Sequence, residues 1–169
     1  MNRTSRIFRG LFATAIIAAA PFGHAQAATI NAAVSVNIVK PLELTAKQDL
    51  DFGQIMMGSF SGSRNVSISQ AGTITCAANL TCTGLAKPAI YNMRGTNRVV
   101  GFIRTAPSNL VNSADGTSIV FTPSAPVSVT LTSSGAPGND FNVGGTIVIP
   151  STVSGGLYSG DIEVTVDYQ

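Results

Sequence analysis

Residues 161–168 read DIEVTVDY, and their alternation decides the fold class. Ile162, Val164, Val166 and Tyr168 fall on one side of an extended chain, while Asp161, Glu163, Thr165 and Asp167 fall on the other. A period of two residues is that of a β-strand with one face in a core and one in water. Working back from this segment, the same period predicts strands over Thr29–Val39, Leu50–Ile55, Arg64–Ser69, Thr73–Cys76, Ala89–Arg94, Arg98–Arg104, Ser118–Thr122, Val127–Thr132 and Thr146–Ile149, with the last running over Leu157–Tyr168. Gly58, Gly62, Gly95-Thr96, Asp115-Gly116, Ser134-Gly135, Pro137 to Asp140, Gly144-Gly145 and Gly155-Gly156 punctuate them as turns. Many short strands between such turns read as an all-β antiparallel sandwich or barrel. Within it Val127, Val129 and Leu131 should share an inner face, and Met56, Met57, Tyr91 and Met93 should be core.

The first 27 residues read differently. Arg3, Arg6 and Arg9 precede the apolar run Leu11–Ala20, followed by Pro21 and the small-residue site Ala25-Gln26-Ala27. That order is a secretory signal peptide, and ten apolar residues are too few for a bilayer span of roughly 20. The expected organisation is a signal over 1–27, an extension over 28–40 and a sandwich domain over 41–169. Removal of the signal takes three of the ten basic residues and none of the eight acids, leaving 142 residues with a net charge of −1. Such a chain offers no electrostatic footprint to nucleic acid or anionic lipid.

Composition also removes chemistry. The one histidine, His24, lies in the signal, there is no tryptophan, and 11% of the chain is charged against about 25% in ordinary domains. A Ser-His-acid triad, a Cys-His pair and the usual imidazole zinc site are therefore out of reach. No G-x-S-x-G elbow or tuned general base stands out, so the sequence is read as that of a non-enzyme without cofactor or metal. Cys76 and Cys82, in a chain bound for an oxidising compartment, should form a disulfide that pins a strand end.

The start of the exported chain repeats the pattern of its end. Ile30, Ala32, Val34, Val36 and Ile38 alternate with Thr29, Asn31, Ala33, Ser35 and Asn37. Chain termini are usually frayed and polar, so an apolar face here must be buried somewhere. It is either the first strand of its own sandwich or a donor strand that completes a neighbour's sheet, where main-chain bonds supply affinity and alternate side chains fill pockets. Pro41 cannot donate to a ladder and marks the boundary between extension and domain.

Tyr168 is penultimate and Gly156 is the fourteenth residue from the C-terminus, a pairing similar to the assembly signature of chaperone–usher pilins. The segments Leu50-Asp51-Phe52-Gly53, Gly72 to Cys76, Gly156 to Gly160 and Val164 to Tyr168 resemble the spore-coat-U type of pilin and a related uncharacterised family of exported bacterial β-sandwich domains. The resemblance implies an immunoglobulin-like, pilin-like sandwich lacking one strand. A periplasmic chaperone fills the gap in transit, an outer-membrane usher handles the subunit, and the next subunit's extension fills the gap in the fibre. Carried onto this chain, the donor residues are Ile30, Ala32, Val34, Val36 and Ile38. The assembly strand comprises Gly156, Ile162, Val164, Val166 and Tyr168. The implied role is a structural subunit of a fimbria, pilus or biofilm matrix at the cell surface, acting in adhesion through self-assembly or with other pilin-like subunits. The rival reading is a self-complete secreted sandwich that binds a glycan or protein through the loops Ser108–Gly116 and Ser134–Asn142.

Overall fold

The computed structural model describes residues 28–168, and the signal peptide read over 1–27 lies outside them. The chain divides between Val36 and Asn37 into two units. In the first, residues 28–36 form no strand and their side chains are exposed, Ile30 by 92% and Val34 by 94%. The alternation over Thr29–Val39 therefore joins no ladder in this single chain, because an extended segment becomes a strand only when a neighbour accepts its main-chain bonds.

The second unit is all-β and antiparallel. Its strands are β1 (Glu43–Gln48), β2 (Gln54–Met57), β3 (Ser63–Ile68), β4 (Ile74–Cys76), β5 (Leu80–Thr83), β6 (Ala89–Arg94), β7 (Val100–Thr105), β8 (Ser108–Asn112), β9 (Ser118–Ser124), β10 (Ser128–Thr130), β11 (Asn139–Pro150), β12 (Tyr158–Ser159) and β13 (Val164–Tyr168). No helix occurs among the described residues. The main sheet runs β1-β6-β11-β9-β8-β12, with β3 paired to β11 and β4 to β3. A three-stranded sheet, β10-β7-β13, and a ribbon, β2-β5, complete the sandwich.

The twelve-residue β11 organises the main sheet. Its first part, Asn139–Val143, pairs with β6, and its second is flanked by β3 and β9. Gly144-Gly145 sits where the partners change and is not a turn. A side chain on Gly145 would strike the Phe121 ring, and one on Gly144 would strike the Ile68 carbonyl, so both glycines serve close approach rather than chain reversal.

Two apolar clusters fill the interior. One holds Val66, Leu80, Ile119, Phe121, Ile147 and Ile149 beneath the β2–β5 ribbon; the other holds Ala89, Met93, Ile103, Leu131, Phe141 and Val143 beneath β10-β7-β13. The expected core needs three corrections. Met56 is 51% exposed and Met57 lies in the same edge ribbon, which has solvent on one side. Val127 is 76% exposed at the approach to β10, although its carbonyl accepts from Ile103 N at 2.9 Å, so the inner face begins only at Val129. Val129, Leu131, Met93 and, half-buried, Tyr91 pack as expected, with Tyr91 stacked on Phe141 at 5.7 Å.

Cys76 and Cys82 are bonded, with Cα atoms 6.1 Å apart. The bond joins β4, at the edge of the main sheet, to β5 of the ribbon, so it holds the ribbon over the first cluster rather than merely closing a loop. Replacing both cysteines by serine should cost about 2 kcal/mol in the loop-entropy account of so short a ring. Hydrogen exchange should show the loss first at Gln54–Met57, with β9 and β11 keeping their protection; uniform loss across all strands would contradict this local role.

Candidate functional site

A cleft of about 820 Å³ opens between two stretches of chain, Ala46–Met57 on one side and Val153–Ile162 on the other. Its lining includes Ala89, Phe121, Ile147 and Ile149, which are buried core residues, so the cleft reaches the interior of the sandwich. Leu50 and Ile162 line it as well, and each packs against both apolar clusters. β1 and β13 each pair with one neighbour only, β6 and β7, and so each is an edge. A second open depression, lined by Val39–Leu42 and Val166–Tyr168, separates the start of β1 from the end of β13. The cleft itself runs beside two edge strands of the main sheet, β1 through Ala46 and β12 through Tyr158 and Ser159, over an apolar floor.

Local chemistry explains how the rims are held. Gly156 carries an Asn112 side chain against its α-carbon: an added Cβ would lie 2.5 Å from Asn112 Nδ2. Asn112 is 1% exposed, receives a hydrogen bond from Ala114 N at 3.0 Å and donates to the Gly155 carbonyl at 3.4 Å. The glycine singled out by sequence thus seats the Val153–Ile162 rim on a buried asparagine. Tyr158 extends the same anchorage, its hydroxyl 2.8 Å from both Thr117 Oγ1 and the Ser154 carbonyl.

The cleft is weakly acidic. Asp49, Asp51 and Asp161 lie along it, and no lysine or arginine does among the described residues. Burial pushes the Tyr91 phenol above its ordinary range, with the negative charges of Asp49 and Asp161 adding to the effect. Away from the cleft, Lys47 donates to Asp140 at 2.7 Å and Asn92 also bonds that carboxylate, which is held below the usual range by the lysine first and the asparagine second.

Residues 42–168, from just before β1 to the end of β13, match the domain of unknown function DUF4402. The chain belongs to that family. No curated protein matches it, and no solved structure does. The DUF4402 domain contains both rims and the cleft between them, whereas Ile30, Ala32, Val34, Val36 and Ile38 all precede it.

Within the DUF4402 domain the named assembly residues do not form one continuous strand. Gly156 and Ile162 line the cleft, Val164 packs in the second cluster, and Val166 and Tyr168 reach both that cluster and the second depression. The run Leu157–Tyr168 is broken because β12 pairs with β8, β13 pairs with β7, and residues 160–163 cross from one sheet to the other. The two stretches read as recognition loops are each part strand: Ser108–Asn112 is β8, and Asn139–Asn142 opens β11. Asn139 is buried and gathers the hairpin, its Oδ1 accepting from Thr132 N at 2.8 Å and its Nδ2 donating to the Met93 and Ser133 carbonyls.

Sequence reading missed Asn112 and Asn139. Placing Leu110 and Asn112 on one face would have flagged Asn112 as an inward polar group. Nothing local marks Asn139, whose partners come from β6 and the β10–β11 turn.

Proposed function

We propose that this chain is the structural subunit of a bacterial surface fibre, built by donation of residues 29–38 of one copy into the cleft of the next. The observation that carries the reading is the pairing of two incomplete parts in one chain: a cleft that reaches the core beside the β1 and β12 edges, and an alternating apolar segment that joins no ladder. Each lacks what the other supplies. A donor and an acceptor at different places on one molecule form a heterologous contact, which propagates into a filament instead of closing into a dimer. Export by a signal peptide, transit with a periplasmic chaperone and an outer-membrane usher, and a role in adhesion accompany this reading through the pilin resemblance.

The rival, a self-complete sandwich with a loop-borne binding face, has less support, because β8 and β11 take up part of each loop. Tyr91 offers a direct test of cleft filling. A peptide spanning residues 29–38, added to the chain lacking them, should bury the phenol further and move its ultraviolet titration to higher pH. The Tyr91→Phe variant identifies which of the three tyrosines moved. A Tyr91 titration unchanged by saturating peptide would exclude this cleft as the acceptor.

A further inference from the structure

The point where the extension meets the domain is tied down by three hydrogen bonds in a ring. The Tyr168 hydroxyl donates to the Lys40 carbonyl at 2.7 Å and accepts from Thr96 N at 2.6 Å. Lys40 N in turn donates to Thr96 Oγ1 at 2.6 Å. Both main-chain groups of Lys40 are thereby committed, the N–H to Thr96 in the turn between β6 and β7 and the carbonyl to Tyr168 at the end of β13, and Pro41, next in the chain, has no N–H to offer. Gly95 makes the ring sterically feasible. A Cβ there would collide with the Tyr168 hydroxyl and lie 2.9 Å from Leu42 and Leu131.

For residues 29–38 to lie along the β1 edge of their own copy the chain would have to double back ahead of Glu43, where β1 starts, beside the depression that Leu42 and Tyr168 line. A tight reversal of that kind uses main-chain bonds across the turn. Here those of Lys40 are already engaged, and the residue before a proline is held in extended conformation.

From this geometry we infer that Tyr168 and Thr96 form a clamp on Lys40 that disfavours self-complementation and so keeps the extension available to a second copy. The inference rests on the donor-strand reading and adds a regulatory element to it. Tyr168 and Thr96 act as positioning residues; their effect on assembly passes through Lys40.

The experiment compares the exported chain, residues 28–169, with its Tyr168→Phe and Thr96→Ala variants. Light scattering measures the fraction that stays monomeric, and hydrogen exchange reads residues 29–38 in the monomers. Either variant should raise the monomeric fraction at least fivefold at equal concentration, with residues 29–38 protected in those monomers. An unchanged fraction, or extra monomers in which the segment exchanges freely, overturns the clamp.

A companion measurement separates this from failure of the donor reading. The peptide of residues 29–38 is titrated onto extension-deleted chains with and without Thr96→Ala. Equal binding to both, together with the shift to protected monomers, supports the clamp; equal binding without that shift removes the clamp and leaves the donor reading standing. Binding weakened by Thr96→Ala also overturns the clamp, since the turn would then be shaping the cleft itself. No binding to either chain removes donor reading and clamp together.

Discussion

Val34→Asp should abolish fibre growth while leaving the melting temperature of the subunit where it was. Val34 is almost fully exposed and joins no ladder in the single chain, and substitutions at such positions usually change stability by no more than about 0.5 kcal/mol. In the proposed joint the same side chain would be the middle one of five donor residues over a floor of Ala89, Phe121, Ile147 and Ile149. An aspartate there would lose its water and find Asp49, Asp51 and Asp161 instead of a cation. Burying an unpaired carboxylate costs several kcal/mol, enough to weaken each joint about 10²–10³-fold. Ser35→Asp, one residue on and on the opposite face, should assemble at close to the wild-type concentration. The measurement is the critical concentration for fibres by light scattering, with thermal melts of the same samples. Fibres of Val34→Asp at the wild-type concentration would show that this face is not the one donated.

The contrast between these two aspartates depends on a pattern visible in the bare sequence, but the acceptor site does not. Alternation located the strands whose inner faces are uniformly apolar. Ala89–Arg94 matches β6 to the residue, and the bounds of β3, β4 and β9 differ from the expected ones by only one or two residues. It failed where ladder geometry outweighs propensity. β1, with sequence ELTAKQ, has little of the β-branched content of a strand and exists because β6 accepts its main-chain bonds, with a register shift between Ala46 and Gln48. Gly144-Gly145 looks like a turn until Phe121 and Ile68 are seen to occupy the space that side chains would need. The cleft is the hardest feature to read, because it consists of what is missing between Ala46–Met57 and Val153–Ile162, segments about a hundred residues apart. Tyr168 was legible as an alternating inward residue, but its bond to Lys40 across 128 positions was not.

Phe121→Ala should be the most damaging single substitution in the domain, lowering stability by about 3–5 kcal/mol. Phe121 is the largest fully buried side chain, meets Phe52 edge-on with ring centres 6.1 Å apart, and covers Gly145. Its loss leaves a void that the backbones of β9 and β11, bonded to each other from Gly144 to Val148, cannot close by moving together. A domain of this size commonly has about 5–15 kcal/mol in hand, so a fall in melting temperature of roughly 10–20 °C is expected. Gly145→Ala supplies the internal check. Alone it drives a methyl into the ring and should cost about 1–3 kcal/mol as overpacking. In the Phe121→Ala background the ring is gone, and the added methyl partly fills the void, so the double variant should be more stable than the sum of the two losses allows. Strict additivity would mean that the ring does not lie over Gly145. The same side chain floors the cleft, so Phe121→Ala should weaken donor binding as well as the fold, whereas Val34→Asp should remove assembly alone.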